Sequence, residues 1–273
     1  MTSAKKHLTY TRLLSTLTCI ILFPLRFYGT DQSAELLAEA DKLYSVRALV
    51  IKNDRADSEN IDSAIKLYSE IANGNTSTCE AVQKAAVGLM KSWYFKAVDT
   101  EISTAESRKI FEYGKTAGEG FHLRHPDNLN IHYWYLVLLG KWAEFQNIAA
   151  IAKEGLLGKL KNGAEYIIKK DPGFDSGNAH LMLGRMHYMT PRIPLIISWP
   201  SIDEAVKNYH KALEINPEYR MAMIYLAECY IKQKKKEEAR TLLTKVVSLP
   251  LRDKFLFDDT NNRKLASDLL LDF

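Results

Sequence analysis

The stretch MAMIYLAECYIKQKKKEEARTLLTKVVSLP, residues 221–250, decides the fold. Leu226, Ala227 and Tyr230 recur at helical spacing, a lysine-rich turn follows, and Ala239, Leu243 and Val246 mark a second apolar stripe before Pro250 ends it. Two short helices joined by so tight a turn fold back antiparallel. The small side chains of Ala227 and Ala239 let them approach closely, while Tyr230 and Leu243 fill the space toward neighbouring pairs. One pair cannot bury its apolar faces alone, so the pattern predicts stacking on similar pairs.

Such pairs are found upstream. Leu183-Gly184 lies on one first helix and Ala205, Tyr209 and Ala212 on its partner, which closes at Asn216-Pro217. Leu136, Leu139, Gly140 and Ala143 outline another first helix, with Gly155–Ile168 as its partner before Asp171-Pro172. Val82, Ala85, Ala86 and Leu89 pair with a helix over roughly Ala105–Phe121, and Leu36–Leu49 pairs with the segment holding Ala64 and Tyr68. The expected fold is all-α: a right-handed solenoid of about five tetratricopeptide-like antiparallel helix pairs over residues 31–273. One turn breaks the pattern. Between the helices of the fourth pair, a few-residue connection is expanded into the proline-rich, apolar insert TPRIPLIISWP, residues 190–200.

Bulk properties narrow the function. The chain has 273 residues, 47% of them hydrophobic, enough for a continuous core. A formal charge of +4, evenly spread, gives no nucleic-acid footprint. The three cysteines, Cys19, Cys79 and Cys229, form no CxxC pair and no disulfide framework. At the N-terminus Lys5, Lys6 and Arg12 precede the apolar run Leu13–Leu25, so residues 1–30 read as a signal peptide or N-terminal anchor. That reading predicts a periplasmic or membrane-anchored extracytoplasmic protein.

The order His132-Tyr133-Trp134, Leu139-Gly140-Lys141-Trp142, Asp171-Pro172-Gly173-Phe174, Leu183-Gly184-Arg185, the proline-rich insert and a tail with Asp258-Asp259 and Leu265–Leu270 resembles the T-component family of TRAP transporters. The resemblance implies an extracytoplasmic helical-repeat protein that associates with a periplasmic solute-binding protein or other envelope protein; the mixed apolar and polar make-up of the expected groove suits a small hydrophobic ligand or a partner's helix, and homo-oligomers are a further expectation. The same Tyr-Trp, Leu-Gly-Arg and leucine-rich tail also look like the regulator-of-microtubule-dynamics proteins. That likeness implies a membrane-tethered intracellular interaction protein instead.

Stacked helix pairs expose their first helices on a concave surface. The candidate binding residues there are Trp134, Val137 and Lys141; Asn178, Leu181, Arg185 and Tyr188; and Met221, Ile224, Glu228 and Ile231, joined by Ile196, Ile197 and Trp199 of the insert. Either the insert contacts a partner or it folds back on its own bundle with Trp199 as an anchor. His122, His125 and His132 come nearest to a metal cluster, but the sequence has no HExxH, no glycine-rich phosphate loop and no GxSxG elbow. The expectation is binding without catalysis, with no cofactor and no metal.

Overall fold

A computed structural model describes residues 30–74, 77–193 and 197–271, and the expected signal or anchor segment lies outside the described residues. Five antiparallel pairs follow in chain order: α1 (Thr30–Ser45) with α2 (Glu59–Asn73), α3 (Cys79–Asp99) with α4 (Thr104–Arg124), α5 (Leu129–Ala143) with α7 (Leu156–Lys170), α8 (Phe174–Met189) with α9 (Ile202–Ile215), and α10 (Arg220–Lys232) with α11 (Lys236–Ser248). The short α6 (Ile148–Lys153) sits in the third turn, and α12 (Leu256–Leu270) packs on α10 and α11 at the end of the array. Side-chain oxygens fix several helix starts: Thr78, Asn128 and Ser201 each accept from a backbone N–H of the first turn, and Ser103 with Glu106 forms a reciprocal capping box.

Each second helix packs on the first helix of the next pair, and first helices also pack on one another: α1 on α3, α3 on α5, α8 on α10 and α10 on α12. Among the described residues no two second helices pack together to that degree. The first helices therefore lie on the inside of the curve.

The tight crossings are made by a ring meeting a missing side chain. At the α8–α9 crossing a Cβ on Gly184 would stand 2.6 Å from the fully buried Tyr209 ring, and at the α2–α3 crossing a Cβ on Gly88 would stand 2.5 Å from Tyr68. At the start of α8 the backbone turns left-handed through Asp175, Ser176 and Gly177, and Gly177, with φ of 93°, lies against the backbone of Ala212. The Asp-Pro-Gly-Phe motif ends one pair and starts the next there.

Two features depart from the expected pattern of helix pairs. Residues 51–56 form a two-stranded hairpin, Ile51–Lys52 paired antiparallel with Arg55–Ala56, whose last residue bridges to Thr100. The last pair is closed by buried charge. Asp259, with none of its surface exposed, accepts from the Arg252 backbone N–H at 3.0 Å and from its guanidinium at 2.9 and 2.7 Å, and faces the buried Arg220 at 3.5 Å. Burial alone would raise the Asp259 carboxyl; the Arg252 hydrogen bonds and the neighbouring guanidinium charge hold it below the usual range.

If the glycine is required by the ring, Gly184→Val lowers unfolding free energy by about 2 kcal/mol or more, the cost of overpacking a filled crossing. The same substitution costs much less in a Tyr209→Ala background, measured by urea denaturation as a double-mutant cycle. Equal costs in the two backgrounds would exclude the ring as the cause.

Candidate functional site

An α-helix brings residues three and four apart onto one face. On α3 the inward face carries Val87, Lys91, Tyr94 and Val98; on α5, Asn130, Trp134, Val137 and Lys141; on α8, Asn178, Met182 and Arg185; on α10, Met221, Tyr225 and Glu228. The rows meet. Tyr94 packs edge-on against Trp134 at 5.9 Å and Trp134 edge-on against Tyr133 at 5.6 Å, while Tyr133 meets Phe174 at a tilt at 5.4 Å. Burial raises the phenols of Tyr94, Tyr133, Tyr219 and Tyr225, and all but Tyr133 keep part of their surface open, as residues lining a concave wall do.

Charges on this wall are mostly paired. Arg185 Nη1 donates to Glu228 at 2.5 Å with its guanidinium 4.2 Å from the Tyr225 ring, and Lys141 donates to Glu144 at 3.1 Å. The Lys91 ammonium stands 5.7 Å above Trp134, and the Tyr219 hydroxyl donates to Asn178, which in turn donates to Asp175 at 2.7 Å. A cleft of about 510 Å³ opens at the Tyr44, Lys91 and Asn130 end, and one of about 490 Å³ at the Arg55, Lys141 and Glu144 end. Aromatic walls with a few fixed polar groups suit an extended segment of a partner protein.

The structure brings Trp134, Val137, Lys141, Asn178, Arg185, Met221 and Glu228 together on this wall. Ile224 is fully buried between α10 and its neighbours, and Leu181 and Tyr188 pack toward α9 on the cluster around Tyr209, while Ile231 lies on the outer surface. One residue along a helix is a rotation of about 100°, so the face that looks inward passes through Tyr225 and not Ile224. Sequence spacing does not single out Tyr94 or Tyr219, since a tyrosine at helical spacing reads equally well as core.

In the insert, Ile193 and Ile197 exchange backbone hydrogen bonds of 2.9 and 2.8 Å, and Ile196 lies outside the described residues. Ile197 is 4% exposed; Trp199 stands edge-on to His187 at 5.1 Å, and the Ser201 N–H donates to that imidazole at 3.3 Å. Of the described part of the insert, Ile197 is buried and Trp199 packs on α8, next to the start of α9.

The sequence model of the family described as regulator of microtubule dynamics protein 1-3 matches residues 36–272. Regulator of microtubule dynamics protein 2 of Mus musculus is 29% identical over 170 residues, covering 58% of this chain and 40% of that protein. Regulator of microtubule dynamics protein 3 of Bos taurus is 26% identical over 162 residues, covering 54% of this chain and 33% of that protein. The chain thus spans about two fifths or less of the length of these curated relatives. A solved thermophilic tetratricopeptide protein of Thermus thermophilus superposes with a TM-score of 0.61 at 14% identity over 88% of this chain and 99% of that one, which supports the fold.

These matches correct the expected membership of the TRAP transporter T-components. With it fall the periplasmic location, the periplasmic signal-peptide reading that went with it and the solute-binding-protein partner, because the matched family and relatives are described as regulators of microtubule dynamics; residues 1–30 lie outside the match. The motifs that carried the resemblance misled for a physical reason. Leu139 and the Leu183-Gly184 pair sit in helix packing, which any stacked array of this kind requires.

Of the candidate metal-ligating histidines, His122 and His132 do meet, but as nearly parallel rings 4.2 Å apart, beside Tyr135 and Tyr166. Among the described residues no group of three or more His, Cys, Asp or Glu side chains converges on a metal position. Burial, then the neighbouring His122 and Lys159, depress His132 to about 4. Its stabilising effect is therefore complete above the unfolded value of about 6.5 and is lost as pH falls from there toward 4. Between pH 7 and pH 5 this amounts to about 2 kcal/mol. Urea denaturation at those two pH values should find His132→Phe losing less stability on acidification by about that amount; an unchanged loss would remove His132 as its source.

Proposed function

We propose, from the premise that the chain belongs to the regulator of microtubule dynamics protein 1-3 family, that it is an interaction scaffold which influences microtubules by binding, without catalysis, and that its partner docks on the concave face of the first helices. The observation that carries the docking surface is the set of half-open rings on the inner helices, Tyr94 in edge contact with Trp134 and Tyr225 under Arg185, flanked by Lys91 and the Arg185–Glu228 pair. Half-open aromatic rings and arginine held at fixed angles are the residue types that dominate binding energy at protein interfaces. Their rings lose little conformational freedom on binding, and the paired charges fix the orientation of what lies between them.

The reading is tested in cytoplasmic extract with dynamic microtubules imaged at their growing ends. Adding the protein is expected to change growth or shrinkage rates. Trp134→Ala with Tyr225→Ala should require at least ~10-fold more protein for the same change, as should Lys91→Glu, which alters charge without removing packed volume. Circular dichroism and melting temperature are compared in parallel. Variants as active as the wild type would remove the concave face from the reading, and a wild type without effect would remove the microtubule role.

A further inference from the structure

The array does not end freely. Arg47, between α1 and the hairpin, reaches Asp258 of α12 across 211 residues of sequence, with Nη2 3.2 Å from Oδ2. The guanidinium also lies 4.4 Å from the Tyr44 ring and 4.9 Å from Phe95. Beside it, Phe257 packs edge-on to Phe95 at 5.7 Å, and Lys264 donates to Asp54 of the hairpin at 2.9 Å. First pair and last helix thus touch, and the concave face lies inside a closed ring.

Two adjacent carboxylates hold the two sides. Asp259 faces inward to Arg220 and Arg252 and fastens α12 to its own end of the array, whereas Asp258 faces outward to Arg47. On the other side the hairpin is fixed to α3, where Arg55 donates to the Val98 carbonyl and Ala56 bridges to Thr100. The junction between these two secured sides is small, since α12 packs far less on α1, α2 or α3 than neighbouring helices pack on one another: it consists of the Arg47–Asp258 pair, with Arg47 largely buried and the Asp258 side chain 41% exposed, the more exposed Lys264–Asp54 pair, and Phe257 entering one apolar cluster with Phe95, Ala56 and Ile61. The exposed Lys264–Asp54 pair contributes at most about 1 kcal/mol, and the single ring of Phe257 is less apolar burial than a helix crossing provides, so this junction is the part of the array that opens most readily. A third carboxylate loads it. Asp99 is raised to about 6 by burial and by Asp258, against the opposing charges of Arg55, Arg47 and Lys141. Phe95 under the junction and Tyr94 on the concave wall are neighbours on one turn of α3, so the junction and the docking surface share that turn.

We propose that this junction is a clasp: it closes the array into a ring in the unpartnered protein, and a partner segment reaches the concave face when Arg47 and Asp258 separate. The inference takes the concave face as the docking surface, so its test reads opening alone, with no partner present. Hydroxyl-radical footprinting with mass spectrometry is applied to the full chain, to Asp258→Asn, to Lys264→Glu and to the charge-exchanged Arg47→Asp/Asp258→Arg. Losing about 1 kcal/mol at the clasp raises the open population about fivefold.

Oxidation of Phe95, Phe257 and Tyr94 is therefore expected to rise by about that factor in the two single variants and to return toward the wild-type rate in the exchanged one, while Tyr68 and Tyr209 stay protected in their helix crossings. Unchanged rates at Phe95 and Phe257 would overturn the proposal. So would a parallel rise at Tyr68 and Tyr209, which would make the junction part of the common fold. Because no docking enters this readout, a clasp that fails to open and a face that binds nothing give separate results.

Discussion

Everything in this molecule depends on how closely two helices can lie when one offers a ring and the other offers nothing. Tyr68 occupies the place where Gly88 has no side chain, Tyr209 does so at Gly184, and Leu136 fills the gap at Gly163. Such crossings are directional. Filling the gap with one ring fixes the rotation of both helices about their axes, since a turn of one residue would bring a Cβ into the ring. Once rotation is fixed on the packed side, the residues left facing inward are fixed as well, and the concave wall of Tyr94, Trp134 and Tyr225 follows from core packing.

That dependence explains what can be read from the residues alone. The five helix pairs are legible because small residues and rings recur at helical spacing on both members of a pair, as in Leu183-Gly184 against Ala205, Tyr209 and Ala212. The inward face is legible only in part. Trp134, Lys141, Asn178, Arg185 and Glu228 are of types that core positions seldom hold, so they stand out. Tyr225 and Ile224 are adjacent and both apolar enough for either role; only the packing partner of α10 decides between them, and that partner is set by α11 and α12. For the family, likeness carried by packing residues reports the helix-pair fold, and fold alone cannot choose between families.

The ring closure is not legible at all. Helical periodicity reports what a residue does within its own turn and the next, while Arg47 and Asp258 are 211 residues apart and neither sits on an apolar stripe. Asp258-Asp259 attracts notice as a pair, yet nothing in two identical side chains in sequence says that one is buried among arginines and the other reaches across to the first repeat. The rotation of about 100° between consecutive helical residues separates them, and only α12 lying across the end of the array gives that rotation its meaning.

The two kinds of interface differ in how they respond to perturbation. Helix crossings are apolar and filled, so their stability scales with buried area and a small displacement forfeits contact on every side. The junction between α12 and the first part of the array joins one small apolar cluster around Phe257 to ion pairs in partial contact with water, where attraction falls off slowly with distance and solvent replaces each lost contact. A chain built from both kinds can change its outline at the junction while each helix pair stays intact. The concave wall is positioned by the rigid kind, whereas the contact of α12 with the first part of the array includes the soft kind, so substitutions at one set of residues can leave the other set unaltered.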